Sequence, residues 1–446
     1  MSEADPLSEL VDCVKRQDLD DALVASREAL NRNASNPRAW LLSGVMHAQR
    51  SEFERAVECF QQACELDNAN PLCFYNLGLA YKELGRLEQS IAAYRRAIAL
   101  NDHFLEARNN LATALMQNNA NQEAIMAFRE LVNLFPDSAD SHYNLANLLQ
   151  DTGNFEESIE CYQRTLQLDP DHSAARENLG RAYTDQGLQA EAQQVWQAWL
   201  EREPNNAVAK HMVASTSGQT PVERCEDDYV RETFNQDFAK NFDSQLTRLG
   251  YQAPQLVSDA LNAVAHDLVG ADVLDAGCGT GLCGPFVRKM ARRLVGIDLS
   301  SDMLEEARKR GGYDELIECE MTGYLSAHSE AFDVIVCADT LCYFGNLQTV
   351  LAAAGGSLRP GGQLVFTVED MGQPNDLGYQ LKLHGRFCHT EEYVRKTLAE
   401  ADFAVEAISH ANLRKERGKP VAGLVVTASR KPSRISPRFS DKAQKT

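Results

Sequence analysis

The sequence predicts two parts: an all-α solenoid of repeated helix pairs, then an α/β domain built on a mostly parallel seven-stranded sheet. Three observations carry this expectation. A pattern recurs without slippage through the first half of the chain. The stretch "DVLDAGCGTG", Asp272 to Gly281, reads as a strand running into a glycine turn, and alternating strand-like and helical runs follow it.

The repeat is read first. Stretches starting at Pro37, Pro71, Leu105, Ala139 and Ser173 align at a period of 34 residues. Each places a large ring at the same point of its second helix: Phe60, Tyr94, Phe128, Tyr162 and Trp196. Pairs such as Leu77-Gly78 and Leu111-Ala112 put small residues on the first helix opposite those rings. Gly85, Gly153 and Gly187 stand where a tight turn joins the two helices. Pro136, Pro170 and Pro204 stand where the second helix must end. Such a pair cannot close its own core and must stack on neighbours. The pattern resembles the tetratricopeptide repeat over five units within residues 37–213, after an atypical capping unit in 1–36 with Ala22 and Ala29 at the small positions. Asn76, Asn110, Asn144 and Asn178 recur at one place in four successive first helices. An amide both donates and accepts, so such a row suits an extended peptide of any sequence, similar to the asparagine ladder of O-GlcNAc transferase. The alternative is that each Asn bonds only to the adjacent helix.

The periodicity stops after Trp199, and "ASTSGQTPVE" marks a linker over 214–226. Beyond it, Phe234, Phe238 and Phe242 fall on one helical face, either as plain packing or as a lid over a site.

The α/β domain is expected over 227–430. Gly277, Gly279 and Gly281 admit close approach to the backbone, and "LCGPFVRKMA" reads as the following helix, whose N-H groups attract negative charge. A second strand ends at Asp298, whose carboxylate suits the hydroxyls of a ribose. The run Gly279-x-Gly281-x-x-Gly284 also fits a dinucleotide fingerprint. Against it stand Asp275, two residues before the first glycine, where an ammonium fits and a pyrophosphate does not, and the later strands with their closing antiparallel hairpin. Together these features resemble the class I S-adenosylmethionine-dependent methyltransferases, with a Rossmann-like sheet. The resemblance implies S-adenosyl-L-methionine as cofactor. It implies that Asp275 holds the ammonium, that Gly277, Gly279 and Gly281 pass the methionine portion, that Asp298 binds the ribose, that Met303 packs on the adenine, and that Glu320 with Met321 lies near the adenine amino group. Glu320 departs from the Asp frequent there. Repeats plus this domain resemble a bacterial family of repeat-containing methyltransferases.

The segment after the fourth strand, with Asp339, Thr340, Tyr343 and Phe344, is expected to border the transferred methyl. It lacks the Asn/Asp-Pro-Pro-aromatic signature used for planar nitrogens. Tyr343, His384 and His389 are candidates for the catalytic step, and Tyr379 and Arg386 for holding an acceptor, Arg386 through a carboxylate. The alternative for the histidines is structural, with Thr390 capping the next helix.

A net charge of −20 excludes a nucleic-acid backbone as the main partner. Twelve cysteines, none in a CxxC pair, read as reduced thiols rather than a metal site or a disulfide frame. The acidic start and the absence of long apolar runs predict a cytoplasmic protein without a membrane span. Residues 431–446 read as a disordered basic tail. Three functions compete: a methyltransferase whose repeats recruit a protein or peptide, one acting on a small metabolite such as a carboxylic acid with the repeats as a docking module, and a non-catalytic scaffold.

Overall fold

The computed structural model describes residues 19–217, 222–265, 268–416 and 418–432. The capping segment before Leu19 and the tail from residue 433 lie outside the described residues. The chain divides into two compact units, 1–186 and 187–446.

In the first unit, helix α1 (Leu19–Arg32) precedes four helix pairs and a first helix of a fifth: α2 (Pro37–Gln49), α3 (Phe53–Leu66), α4 (Pro71–Glu83), α5 (Leu87–Leu100), α6 (Leu105–Gln117), α7 (Asn121–Leu134), α8 (Ala139–Asp151), α9 (Phe155–Leu168) and α10 (Ser173–Asp185). Asn36 and Asn70 cap α2 and α4 by accepting from the N-H groups of Arg38 and Leu72, and Pro37 and Pro71 open those helices. The rings Phe60, Tyr94, Phe128 and Tyr162 are at most 1% exposed, so they are the core of the stack. Their fit depends on the small residues opposite. A Cβ on Gly44 would lie 2.5 Å from the Phe60 ring, and one on Gly78 2.6 Å from the Tyr94 ring.

The turn inside each pair needs a left-handed residue. Gly85 and Gly153 supply it at φ 69° and 83°, while Ser51 and Asn119 supply it at φ 60° and 57° in the two pairs without a glycine.

The second unit begins with α11 (Gln189–Arg202) and α12 (Ala207–Ser217). The division at 186/187 thus falls upstream of the linker expected over 214–226. Helix α12 buries Val208, His211, Met212, Ser215 and Thr216, and much of that face packs on residues of the α/β domain. The segment expected to be a free linker is helical to Ser217, and Arg224 pairs with Phe344 as an antiparallel bridge.

Three helices follow, α13 (Asp227–Thr233), α14 (Gln236–Arg248) and α15 (Ala253–Ala265), and then the alternating part: β1 (Ala271–Ala276), α16 (Gly284–Val287), β2 (Ala291–Asp298), α17 (Ser301–Arg310), β3 (Glu315–Glu318), α18 (Met321–Ala327), β4 (Phe332–Cys337), a 3-10 turn (Leu341–Tyr343), α19 (Gln348–Ser357) and β5 (Leu358–Asp370). The hairpin β6 (Tyr379–Leu381) and β7 (Phe387–His389), helix α20 (Glu391–Glu400), and the long hairpin β8 (Phe403–Glu416) and β9 (Lys419–Arg430) complete it. Strands β3, β2, β1, β4 and β5 lie side by side and parallel. Strand β9 pairs antiparallel with β5, and β8 with β9, which makes seven. The sheet is wider than expected, because β7 also pairs with the last two residues of β5 and carries β6. Every residue of β1 is buried, as a central strand covered on both faces must be.

Candidate functional site

The carboxyl ends of β1, β2 and β4 converge on the glycine turn, where an open α/β sheet places its ligands. Gly277, Gly279 and Gly281 have φ of 74°, 54° and 82°, each in the left-handed region. Their surroundings differ from the simple expectation of a ligand against all three. A Cβ on Gly277 would sit 2.3 Å from the Thr340 side chain, and one on Gly281 3.0 Å from the Tyr313 ring. Only the Gly279 side is comparatively open, with the Met303 methyl at 3.4 Å and the Phe242 ring at 4.0 Å from such a Cβ. The expected long helix after the turn is a single turn, α16, so it supplies no extended N-terminus for an anion.

Asp275 is 1% exposed, and the Tyr313 hydroxyl donates to its Oδ2 at 2.6 Å. Burial pushes its pKa up to about 7, and the Asp298 charge adds to the rise, while the Tyr313 bond opposes it. The result is a dry carboxylate with a single neutral side-chain donor, which a cation beside it would stabilise. Asp298 accepts from Gly279 N and Ser300 N, each at 2.9 Å, and burial raises its pKa against those donors. A carboxylate has lone pairs beyond these two. Met303 and Met321 are 3% and 7% exposed, on either side of this corner.

Glu320 already has partners within the chain. Its Oε1 accepts from Thr322 N at 2.9 Å and its Oε2 from Gly323 N at 2.7 Å, so it caps α18, and Arg224 Nη1 lies 3.0 Å from Oε1. Burial would raise this carboxyl, but the two backbone donors outweigh burial and hold it below its usual value. Each oxygen accepts from one backbone N-H, the pattern also seen at Asp298.

Helix α14 is latched over the glycine turn. Thr280 Oγ1 donates to Asp243 Oδ1 at 2.6 Å, Arg310 bonds both Asp243 and the Thr280 carbonyl, and Ser300 Oγ donates to the Phe234 carbonyl at 2.6 Å. Phe234, Phe238 and Phe242 pack on one another with ring centroids 5.3 to 6.1 Å apart, and Phe234 meets Tyr343 edge-on at 5.7 Å. The aromatic face is half-buried and packs on itself and on Tyr343.

The acceptor-side candidates are corrected more heavily. Arg386 donates to Glu369 Oε1 at 2.9 Å and to Glu416, so its guanidinium already holds carboxylates of the chain itself. Arg414, 2% exposed at its side chain, joins the same carboxylates and forks onto Asp339 at 2.8 and 3.1 Å. Glu416 is raised by burial but carried down to about 2 by Arg386 and Arg414. His384 accepts from Arg386 N at Nδ1 and presents Nε2 to Glu369 at 3.5 Å. Burial and Arg386 lower its pKa to about 4. His389 is 0% exposed, its Nε2 donates to the Gly345 carbonyl at 3.1 Å, and burial lowers it to about 4. Neither is a base poised near neutrality, and Thr390 caps α20 by accepting from Tyr393 N at 3.2 Å. Tyr379 is packed between Phe387, His389 and Tyr393 rather than free for an acceptor. Tyr343 has its phenol pushed up by burial, which leaves it a neutral wall.

The asparagine row is also engaged. Asn76 Nδ2 donates to the Leu72 carbonyl at 2.8 Å, Asn110 to Tyr75 Oη at 3.2 Å, Asn144 to Asn109 Oδ1 at 3.4 Å, and Asn178 to Asn147 Oδ1 at 3.0 Å. The last three tie each first helix to the preceding one, the alternative reading of the row. All four stay half-exposed.

Sequence reasoning missed Tyr313, Arg414 and Glu369. The only trace of Tyr313 was the set of glycines around it: a Cβ on Gly281, Gly284 or Gly296 would come within 3.0 Å of its ring.

A glycine corner between the buried Asp275 and the half-buried Asp298, following a stack of helix pairs, defines a two-part chain of repeats and an α/β domain. Residues 274–366 match the methyltransferase-domain family, and 44–85, 75–139 and 139–172 match tetratricopeptide-repeat families. The chain carries tetratricopeptide repeats followed by a methyltransferase domain.

Among relatives, the ubiquinone biosynthesis O-methyltransferase of Actinobacillus pleuropneumoniae serotype 5b (strain L20) is 30% identical over 117 residues, 24% of this chain and 50% of that one. The chain thus spans about half the length of the curated relatives it matches. Among solved structures, magnesium protoporphyrin IX methyltransferase from Synechocystis PCC 6803 with bound SAH matches at 18% identity and a TM-score of 0.37, over 46% of this chain and all of that one. YrrB, a TPR protein with an unusual peptide-binding site, matches at 19% identity and a TM-score of 0.37, over 42% of this chain and 96% of that one. Among the described residues no helix is long and apolar enough to cross a membrane, and no cluster of His, Cys, Asp and Glu has a metal-holding arrangement.

Proposed function

We propose that the protein is an S-adenosyl-L-methionine-dependent methyltransferase whose repeats recruit a protein or peptide, as substrate or as partner. The observation that carries the cofactor assignment is the pairing of Asp275 and Asp298 across the open Gly279 corner. Asp275 is a nearly fully buried carboxylate whose chemistry asks for a cation, and the methionyl ammonium is one. Asp298 keeps lone pairs for the ribose hydroxyls, the open Gly279 side of the turn takes the methionine portion, and Met303 and Met321 flank the adenine. The residues fit the group.

The cofactor supplies an activated methyl on a sulfonium, so the protein's work is alignment and exclusion of water. The Phe234, Phe238 and Phe242 face and Tyr343 provide the apolar cover. No histidine in the region stands ready as a base, so deprotonation of the acceptor falls to the acceptor itself or to solvent.

Engagement of Arg386 and Arg414 by Glu369, Glu416 and Asp339 argues against a small carboxylic acid as acceptor. The asparagine row contributes a weaker surface than a free ladder, since its amide donors are in use, although its Oδ1 atoms can still accept.

The test is transfer of a labelled methyl group to a lysate of cells lacking the protein, with Asp298→Ala as control. Label in macromolecules supports recruitment of a protein. Label confined to small molecules makes the repeats a docking module, and no label with either fraction overturns the enzymatic reading.

A further inference from the structure

Helix α12, near the start of the second unit, is built into the loop system that borders β4. Helix α12 buries His211, whose ring stacks on Tyr229 at 3.9 Å and 27°. Its Nε2 donates to the Gly385 carbonyl at 2.8 Å. Gly385 has φ 87°, and a Cβ there would lie 2.8 Å from Tyr229 Oη and 3.2 Å from Met212 Sδ, so the turn is held from this side by α12 and α13 together.

The residues flanking Gly385 are His384 and Arg386. Arg386 holds Glu369 and Glu416, those carboxylates hold Arg414, and Arg414 forks onto Asp339. Asp339 sits just past the end of β4 at φ 56°, a left-handed conformation for a non-glycine residue. A second connection reaches the same loop from the other side. Cys225 N donates to the Tyr343 carbonyl at 2.8 Å, and Gly345 N and Asn346 N donate to the Glu223 carbonyl at 2.7 and 2.8 Å.

We propose that α12 and residues 223–225 form a clamp that sets the conformation of the 339–346 loop, with His211 as a positioning residue acting through Gly385 and the Glu369–Arg414–Asp339 ion pairs. The inference rests on the methyltransferase reading for its functional meaning, since that loop borders the acceptor side. The helical start of the second unit is then a structural part of the acceptor site.

The test compares the full chain with His211→Ala and His211→Gln. Amide hydrogen exchange is followed at 339–346 and 382–387, and S-adenosylmethionine affinity is measured by calorimetry. His211→Ala is expected to raise exchange at least tenfold in both loops while changing cofactor affinity less than twofold. His211→Gln, which keeps a donor for the Gly385 carbonyl, is expected to restore most of the protection. Faster exchange at 382–387 with an unchanged 339–346 loop, or no change in either, overturns the proposal. If His211→Ala loses protection throughout the sheet, Gly385→Ala decides: it pushes the same turn off Tyr229, and unchanged exchange at 339–346 in that variant overturns the proposal equally. Absence of cofactor binding in the wild-type protein contradicts the methyltransferase reading but leaves the exchange result to stand by itself.

Discussion

Asp275 shows how one buried group ties chemistry to pH. Its pKa in the fold, about 7, is raised above that of an ordinary aspartate. For the protein without ligand, the favourable contribution of the protonated form is fully present below the unfolded value near pH 4 and is lost as pH rises through about 7. Binding a cation requires the ionised form, so the ligand restores at higher pH what ionisation costs. Cofactor affinity is therefore predicted to weaken as pH falls below about 7, by up to roughly tenfold per unit, in calorimetric titrations. Asp275→Asn should bind more weakly at pH 8 and show a flat pH dependence; an unchanged slope in that variant would remove Asp275 from the site. The Glu369 group behaves in the opposite sense. Burial raises it, but Arg386 and Arg414 prevail and lower it, so its contribution is present above the unfolded value and is lost as acid protonates it. Glu369→Gln leaves the buried Arg414 and the half-buried Arg386 short of an anion and is predicted to cost about 3 kcal/mol in urea unfolding.

At the scale of elements, the repeats were the most legible part, because a period of 34 residues repeats one packing problem and its solution in view. The large rings Phe60, Tyr94, Phe128 and Tyr162 and the small residues facing them are the same statement read from two helices. Gly78→Ala puts a methyl 2.6 Å from the Tyr94 ring and is predicted to destabilise the first unit by about 1–3 kcal/mol, read from the shift in its urea midpoint. The turns at Ser51 and Asn119 were not legible, since neither residue announces a left-handed backbone as glycine does. In the α/β domain the alternation of strands and helices and the glycine turn followed from local spacing. The ion pairs did not, because Asp339, Glu369, Arg386 and Arg414 come from four separate segments and no periodicity connects them. Tyr313 was hidden for a related reason: it fills space left by Gly281, Gly284 and Gly296, of which local reading gave Gly281 to a ligand. The histidines looked available on paper because sequence shows polarity and not burial, and His389 is wholly inside.

For the molecule as a whole, two compact units predict two thermal transitions in calorimetry. Gly78→Ala should lower one of them, while S-adenosylmethionine should raise the other by mass action. A single transition shifted equally by both would contradict separate cores. The central claim, that the corner between Asp275, Gly279 and Asp298 holds S-adenosylmethionine, is tested most directly by calorimetric titration of the intact protein and of Asp298→Ala with that cofactor. The account predicts one-to-one binding by the wild type and at least tenfold weaker binding by the variant, with its unfolding in the absence of ligand little changed. Equal affinity in the two proteins, or no binding by the wild type, would contradict it.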